Sequence, residues 1–434
     1  MRLITKAVLV VWFSAGAAWA QQGNPSPSSV EPNTAPSTAG ALSSSGDVAD
    51  GSGPSQGSTA ADTNALASIE NKFENSDLTG KLTIIDEAAG NPSVKMGPLY
   101  KAAVDYLVAN LVLLRTDTDA QQMGAKAAHL IGTTAYKPGA ESVWQLFQLS
   151  STDSVRLAAT NALAIVAKGD SDVINKMNHW LAGQNLLHIT GMSVDSLVVD
   201  GCVQALAALE DPSSFAVLFS TMEAGYGDPT TNDARNALKL LKGDRGRQLL
   251  QVVETNRYRD RPAALEMAMS DKSLSTQEKG PIATAALKGA LEAIDLDQGS
   301  TGYVTTLRFD AVRALATLQW TPAAPVVLAN FNRAASEYAN QRLSADKLVQ
   351  SADALAAMAT HEAAIRLSLY LGLINSQTAK GLTFNDSVTL AIVKDLDRIG
   401  DGVAYDNLYA IRYLDYPDSI KTAAREAVRN LAVR

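Results

Sequence analysis

The sequence predicts an all-α protein, an α-solenoid formed as a superhelical stack of antiparallel helix pairs. Three observations point there. First, STDSVRLAATNALAIVAKG (Ser151 to Gly169) returns in altered form as YPDSIKTAAREAVRNLAVR (Tyr416 to Arg434). Second, small and apolar residues in both copies fall at offsets 0, 3, 4, 7, 8 and 11, a single buried stripe on an α-helix. Third, aromatics make up only 6% of the chain and no convincing period-two strand run occurs. The nearest strand imitation, VTTLRF around Val304, runs straight into a helical pattern.

From the N-terminus, residues 1–20 read as a secretion signal. Arg2 and Lys6 precede the apolar run Ala7 to Ala17, and Ala18-Trp19-Ala20 fits a small-x-small cleavage pattern. That run is shorter than the roughly 20 residues a bilayer span requires. Residues 21–63 are Ser-, Gly-, Pro- and Thr-rich with almost no large apolar side chain. Such a segment cannot offset its ordering entropy and is expected to be a disordered linker. Residues 64–434 then carry the helical pattern. Asn91-Pro92, Gly97-Pro98, Asp211-Pro212 and Thr321-Pro322 mark helix starts, because proline is tolerated in a first turn.

The stripe in the first copy is Val155, Ala158, Ala159, Ala162, Leu163 and Val166, with Asp153 placed to cap the helix. In the second it is Ile420, Ala423, Ala424, Ala427, Val428 and Leu431, with Asp418 ahead. Trp144, Leu146 and Leu149 align with Tyr409, Ile411 and Leu414, so a helix–turn–helix unit is duplicated. Further copies centre on Leu206 and Leu315, and weaker ones on Leu238, Leu287 and Leu355. Their irregular period near 40 residues is a solenoid signature, and the long interval before Val428 should hold two units. About eight or nine pairs follow. Alanine suits the stripe twice over: it lets neighbouring backbones approach, and it has the best helix propensity.

These residues resemble the HEAT-like repeat family, including its bacterial, lyase-type members. Asp153-Ser-Val-Arg156-Leu-Ala-Ala159 and Asp418-Ser-Ile-Lys421-Thr-Ala-Ala424 look like the family's second-helix pattern. Leu209-Glu-Asp211-Pro212 and, more loosely, Leu318-Gln-Trp-Thr-Pro322 look like its link into the next first helix. The resemblance implies a scaffold that binds other macromolecules. It also implies a polar ladder through Asp153 and Arg156, although Val199 and Thr231 break it.

Composition narrows the function. The net charge is −8 and becomes −10 once Arg2 and Lys6 are removed, against nucleic-acid binding, which calls for a basic footprint. A single cysteine, Cys202, excludes an internal disulfide framework and any multi-cysteine metal site. Cys202 replaces alanine in a buried stripe and reads as a core thiol.

Chemical motifs are incomplete. His361-Glu362 opens like HExxH but lacks the second histidine, so it reads as an exposed pair at a helix start. Asp295-Leu-Asp297 opens like a calcium loop, yet the bidentate acid is missing at Thr306. Gly225 and Gly227 are loop glycines, and Gly400 ends a helix before Asp401 or Asp406 begins the next. His179 and His188, with Gly183 between them, read as one loop-flanking and one core histidine. Trp144 and Trp180 read as core between repeats. No metal and no cofactor are expected.

One stretch is locally basic, Lys242 to Pro262. Arg257, Tyr258, Arg259 and Arg261 form a candidate surface for an acidic partner, since arginine matches carboxylates. The alternative is a solvated loop balanced by Asp244, Glu254 and Asp260. The reading is therefore an exported, periplasmic or secreted, non-enzymatic scaffold or adaptor that binds a protein partner. An enzyme or substrate handler on the same frame, or a cell-envelope binding protein, is the alternative.

Overall fold

A computed structural model describes residues 60–296 and 302–433. The signal expected over residues 1–20, nearly all of the linker expected over 21–63, and Asp297 of the calcium-like motif lie outside them. Among the described residues there are helices and turns and no strand.

Two helices lead, α1 (Ala60–Asn75) and α2 (Leu78–Ala89). Then α3 (Gly97–Ala109) pairs with α5 (Thr118–Thr133) across the short α4 (Leu111–Thr116), and α6 (Ala140–Leu149) with α7 (Asp153–Val166). Next, α8 (Ser171–Ile189) pairs with α9 (Ser196–Leu209), and α10 (Phe215–Ala224) with α11 (Asp228–Leu240). They are followed by α12 (Arg245–Thr255) with α13 (Arg261–Ser270), and α14 (Thr276–Asp295) with α15 (Gly302–Leu318). The remaining pairs are α16 (Ala324–Ala339) with α17 (Ala345–Ala357), α18 (His361–Ala379) with α19 (Asp386–Ile399), and α20 (Tyr405–Ala410) with α21 (Asp418–Val433).

First helices pack on first helices and second on second, which makes this an α-solenoid. The second-helix layer runs α5–α7–α9–α11 and then α13–α15–α17–α19–α21. Its seam lies between α11 and α13, which barely touch. VTTLRF belongs to α15, and the long interval before Val428 does hold an extra second helix, α19.

The link between pairs is itself a repeat. At Ala135, Glu210, Gln319 and Gly400 the backbone enters the left-handed region, with φ of 51°, 54°, 48° and 72°. Two residues later a short 3-10 turn begins, at Lys137, Pro212, Thr321 and Gly402, and it feeds α6, α10, α16 and α20. Only Gly400 takes this conformation freely. The other three carry the Cβ penalty of about 1–2 kcal/mol, which the packing on either side must offset.

The stripes form the core. Val155, Ala159, Ala162, Leu163 and Val166 are buried in α7, and Val198, Gly201, Cys202, Ala205, Leu206 and Leu209 in α9. The small residues sit where helices approach: a Cβ on Gly132 of α5 would lie 2.8 Å from Ala162 Cα. Phe147 of α6 meets Trp180 of α8 edge-on, with ring centroids 4.8 Å apart. Trp144 is buried, whereas its counterpart Tyr409 is exposed.

Two expectations are corrected. The copy centred on Leu287 is not a second helix. It is α14 of the first layer, and the second helix of that region is α13, with Ala264, Leu265 and Ala268 buried. Asp153 does not cap α7. Thr152 holds that position without a side-chain cap, and Asp153 is the first helical residue. The carboxyl of Asp153 hydrogen-bonds that of Asp195, which raises its pKa. Arg156 lies in the field of both acids, with its guanidinium 4.8 Å from the Phe147 ring and 5.2 Å from Trp180. Arg156 makes no ion pair with either acid, and its Nε is buried without a partner.

Candidate functional site

A polar cleft of about 490 Å³ opens on the first-helix layer, between α8, α10 and the turn joining α12 to α13. On α8, Asn175, Asn178, His179, Ala182, Asn185 and Ile189 follow helical spacing and line one wall. Ala216, Val217 and Ser220 of α10 form the floor, and Thr255, Asn256, Arg257 and Asp260 form the opposite rim.

Amide side chains hold the walls in place. Asn185 Nδ2 donates to Thr221 Oγ1 at 3.0 Å, tying α8 to α10. Asn256 Nδ2 donates to the Ala216 carbonyl and to Ser220 Oγ, both at 3.0 Å, tying the turn to α10. Each bond meets a buried polar group that would otherwise be costly.

Asp260 lies deepest, with 1% of its surface exposed. Its Oδ2 accepts from the Ser220 hydroxyl and from Asn256 Nδ2, while Oδ1 is buried without a partner. Burial raises its pKa; the hydrogen bonds from Ser220 and Asn256, and the charges of Arg259 and Arg257, oppose that rise. Asn178 Oδ1 is a second buried acceptor without a partner. The cleft therefore combines unfilled acceptors in its walls with the exposed His179 and Arg257 at its edge. That set suits groups rich in N–H and C=O, such as a polypeptide main chain. Ser220 is turned onto a carboxyl with no imidazole between them, which is not an activated nucleophile.

The structure separates the four candidate residues. Arg257 is exposed and lines the cleft. Arg259 donates through Nη2 to the Glu223 carbonyl at 2.8 Å, near the end of α10. Arg261 donates to the carbonyls of Asn256 at 2.7 Å and Glu254 at 3.0 Å, at the end of α12, and sits 4.1 Å over the Tyr258 ring. Tyr258 donates to the Gly289 carbonyl at 3.2 Å. Arg259 and Arg261 thus hold helix ends, where cations are favoured, and Tyr258 ties the turn to the body of α14.

Sequence reasoning missed Asp260, Asn178 and Asn256. Asp260 read as a solvated counter-charge, and only packing of three separate segments buries it. His179 and His188 both belong to α8, with Gly183 inside the helix. Nine residues amount to about two and a half turns, which places them on opposite sides. His188 stacks on Tyr226 at 4.0 Å and contacts the Gly225 carbonyl through Nε2 at 3.2 Å.

Other motifs resolve locally. His361 opens α18, and its Nδ1 lies 2.6 Å from Asp401 Oδ2, which raises the histidine pKa and lowers that of the acid. Asp401 also caps the turn after Gly400. Cys202 is buried and its thiol is pushed up to about 12 by desolvation. Asp295 pairs with Arg333. Among the described residues no three His, Cys, Asp or Glu side chains converge as a metal site, and no helix is long and apolar enough to cross a membrane.

Two larger recesses lie elsewhere among the described residues. One of about 700 Å³ lies between α13 and α15, and there Asp310 pairs with Arg313. The other, about 780 Å³ between α16 and α18, is lined by Tyr338, Tyr370 and Phe384 and by the exposed Leu369 and Leu373. Protein-family models give no match to this chain, and a comparison with curated proteins finds none either.

Proposed function

We propose that this is an exported, non-enzymatic scaffold of HEAT-like type that binds a segment of a partner protein in the polar cleft on its first-helix layer. The observation that carries this reading is a recess lined by polar side chains from three segments, Asn178, Asn256 and Asp260 among them, and edged by the exposed Arg257 and His179. The amide and hydroxyl groups on the cleft walls offer donors and acceptors that a bound main chain can pair with its own C=O and N–H groups. Arg257 would add a contact to a carboxylate or carbonyl of the same segment. Affinity would come from several such contacts along an extended surface rather than from one reactive centre.

A photo-crosslinking amino acid at Asn175, on the cleft wall, tests the proposal in cells. One dominant adduct is expected, and it should be lost when His179 and Arg257 are both replaced by alanine. Asn161, exposed on α7 in the other layer, should give no such adduct. Equal labelling from Asn175 and Asn161, or an adduct indifferent to the double substitution, would remove the cleft from the function.

A further inference from the structure

We infer that the pair α20–α21 carries a second recognition site, for a protein segment in which carboxylates alternate with apolar side chains. A recess of about 430 Å³ lies between these helices, lined by Tyr409, Arg412, Lys421, Arg425 and Val428 over the buried Leu408. The whole chain has a net charge of −8, yet among the described residues none of these three cations has a carboxylate within ion-pair distance. Lys421 and Arg425 stand one helical turn apart on α21, so their charges project to the same side.

Arg412 is held rather than free. Its Nη1 donates to the Tyr409 hydroxyl at 2.7 Å, and its guanidinium lies 4.8 Å from the Tyr409 ring and 5.0 Å from the Tyr413 ring. Tyr405 stacks on Tyr409 with centroids 5.8 Å apart. These tyrosines are 40%, 36% and 69% exposed at positions 405, 409 and 413. An ordered arginine flanked by exposed tyrosines is the residue set that dominates binding energy at protein interfaces. Pre-ordering also reduces the entropy lost when a ligand binds.

Charge complementarity selects the occupant. Three unpaired cations call for carboxylates, and arginine takes them through paired N–H groups. The partly exposed Val428 and the exposed Tyr409 ring then favour apolar side chains between the carboxylates. A bilayer headgroup surface would engage the cations and leave that lining unfilled. The site lies in a different helix pair from the polar cleft and does not depend on it.

The test uses the full chain and a fluorescein-labelled peptide, Glu-Leu-Glu-Leu-Glu-Leu, with its Gln-for-Glu counterpart, read by fluorescence anisotropy. The Glu peptide should bind at least about tenfold more tightly than the Gln peptide, and less tightly as salt rises. Replacing Arg412 and Arg425 by alanine should weaken it by a similar factor. Lys421→Ala with Arg425→Ala serves as a second variant, since neither side chain holds another part of the fold. Equal binding of the two peptides, or affinity unchanged in both variants, overturns the proposal. So does capture of phosphatidylglycerol vesicles through these residues without peptide binding, which would place a lipid headgroup there instead.

Discussion

Asp395 in α19 is 3% exposed, receives a hydrogen bond from Arg398 at 2.6 Å, and faces the carboxylate of Asp353. Burial first, and Asp353 second, push its pKa up to about 8. An unfolded aspartate releases its proton near pH 4. Between about pH 4 and 8 the folded chain therefore holds more protons than the unfolded one, and stability falls as pH rises. Asp395→Asn keeps the shape and removes the charge. It should raise the melting temperature at pH 8 by about 1–3 °C and change it little at pH 5, as read by circular dichroism. A destabilisation of the same size at both pH values would contradict this. The cost of burying Asp395 was not visible in the sequence, where it stood in an acidic group with Asp397 and Asp401. Residue type gives charge, while burial comes from neighbours distant in sequence. Arg259 and Arg261 make the same point: a basic run read as surface is largely committed to helix ends.

Close approach governs the elements. Gly132 of α5 faces Ala162 of α7, and a Cβ on Gly201 of α9 would lie 2.9 Å from Leu157 Cδ2 of α7. Ala162→Leu would drive a branched side chain into the α5 backbone, and overpacking of this kind costs about 1–3 kcal/mol or more. The urea midpoint of Ala162→Leu should fall accordingly, while Asn161→Leu, one residue earlier and exposed, should leave it nearly unchanged. Equal behaviour of the two would show that alanine is not acting as a spacer. These contacts were legible because a stripe of alanines at helical offsets has one economical explanation. What the stripe does not state is the layer. In α14, Gly280, Ile282, Ala283, Ala286, Leu287, Ala290 and Ala293 are buried, a pattern like that of a second helix. In α13 only three residues are buried, and it escaped notice. Periodicity reports that a face is covered, not by which neighbour.

In a solenoid each pair touches only its neighbours, so local links set how far order propagates. Such a link occurs at Arg308 of α15, 3% exposed, whose Nε donates to Asn330 Oδ1 and whose Nη1 reaches Glu337 Oε2, both at 2.7 Å. Asn330 Nδ2 passes the connection to Ser351 of α17 at 3.2 Å. The weak seam between α11 and α13 leaves the first-helix layer to carry the join there, through Asn256 and Asp260 against α10. The polar cleft is built on that same join, so a ligand in it would touch segments from three successive pairs. The order of the pairs could be read from the sequence. The cleft could not, because it exists only where α8, α10 and a turn some 85 residues beyond the start of α8 come together.

Amide hydrogen exchange of the full chain, with and without the partner captured at Asn175, tests the cleft most directly. Exchange should slow in Ser171–Ile189, in Phe215–Ala224 and in the turn at residues 255–260, and stay unchanged in α7, α9 and α11. Protection confined to those second helices, or no protection in α8 and α10, would contradict a partner site on the first-helix layer.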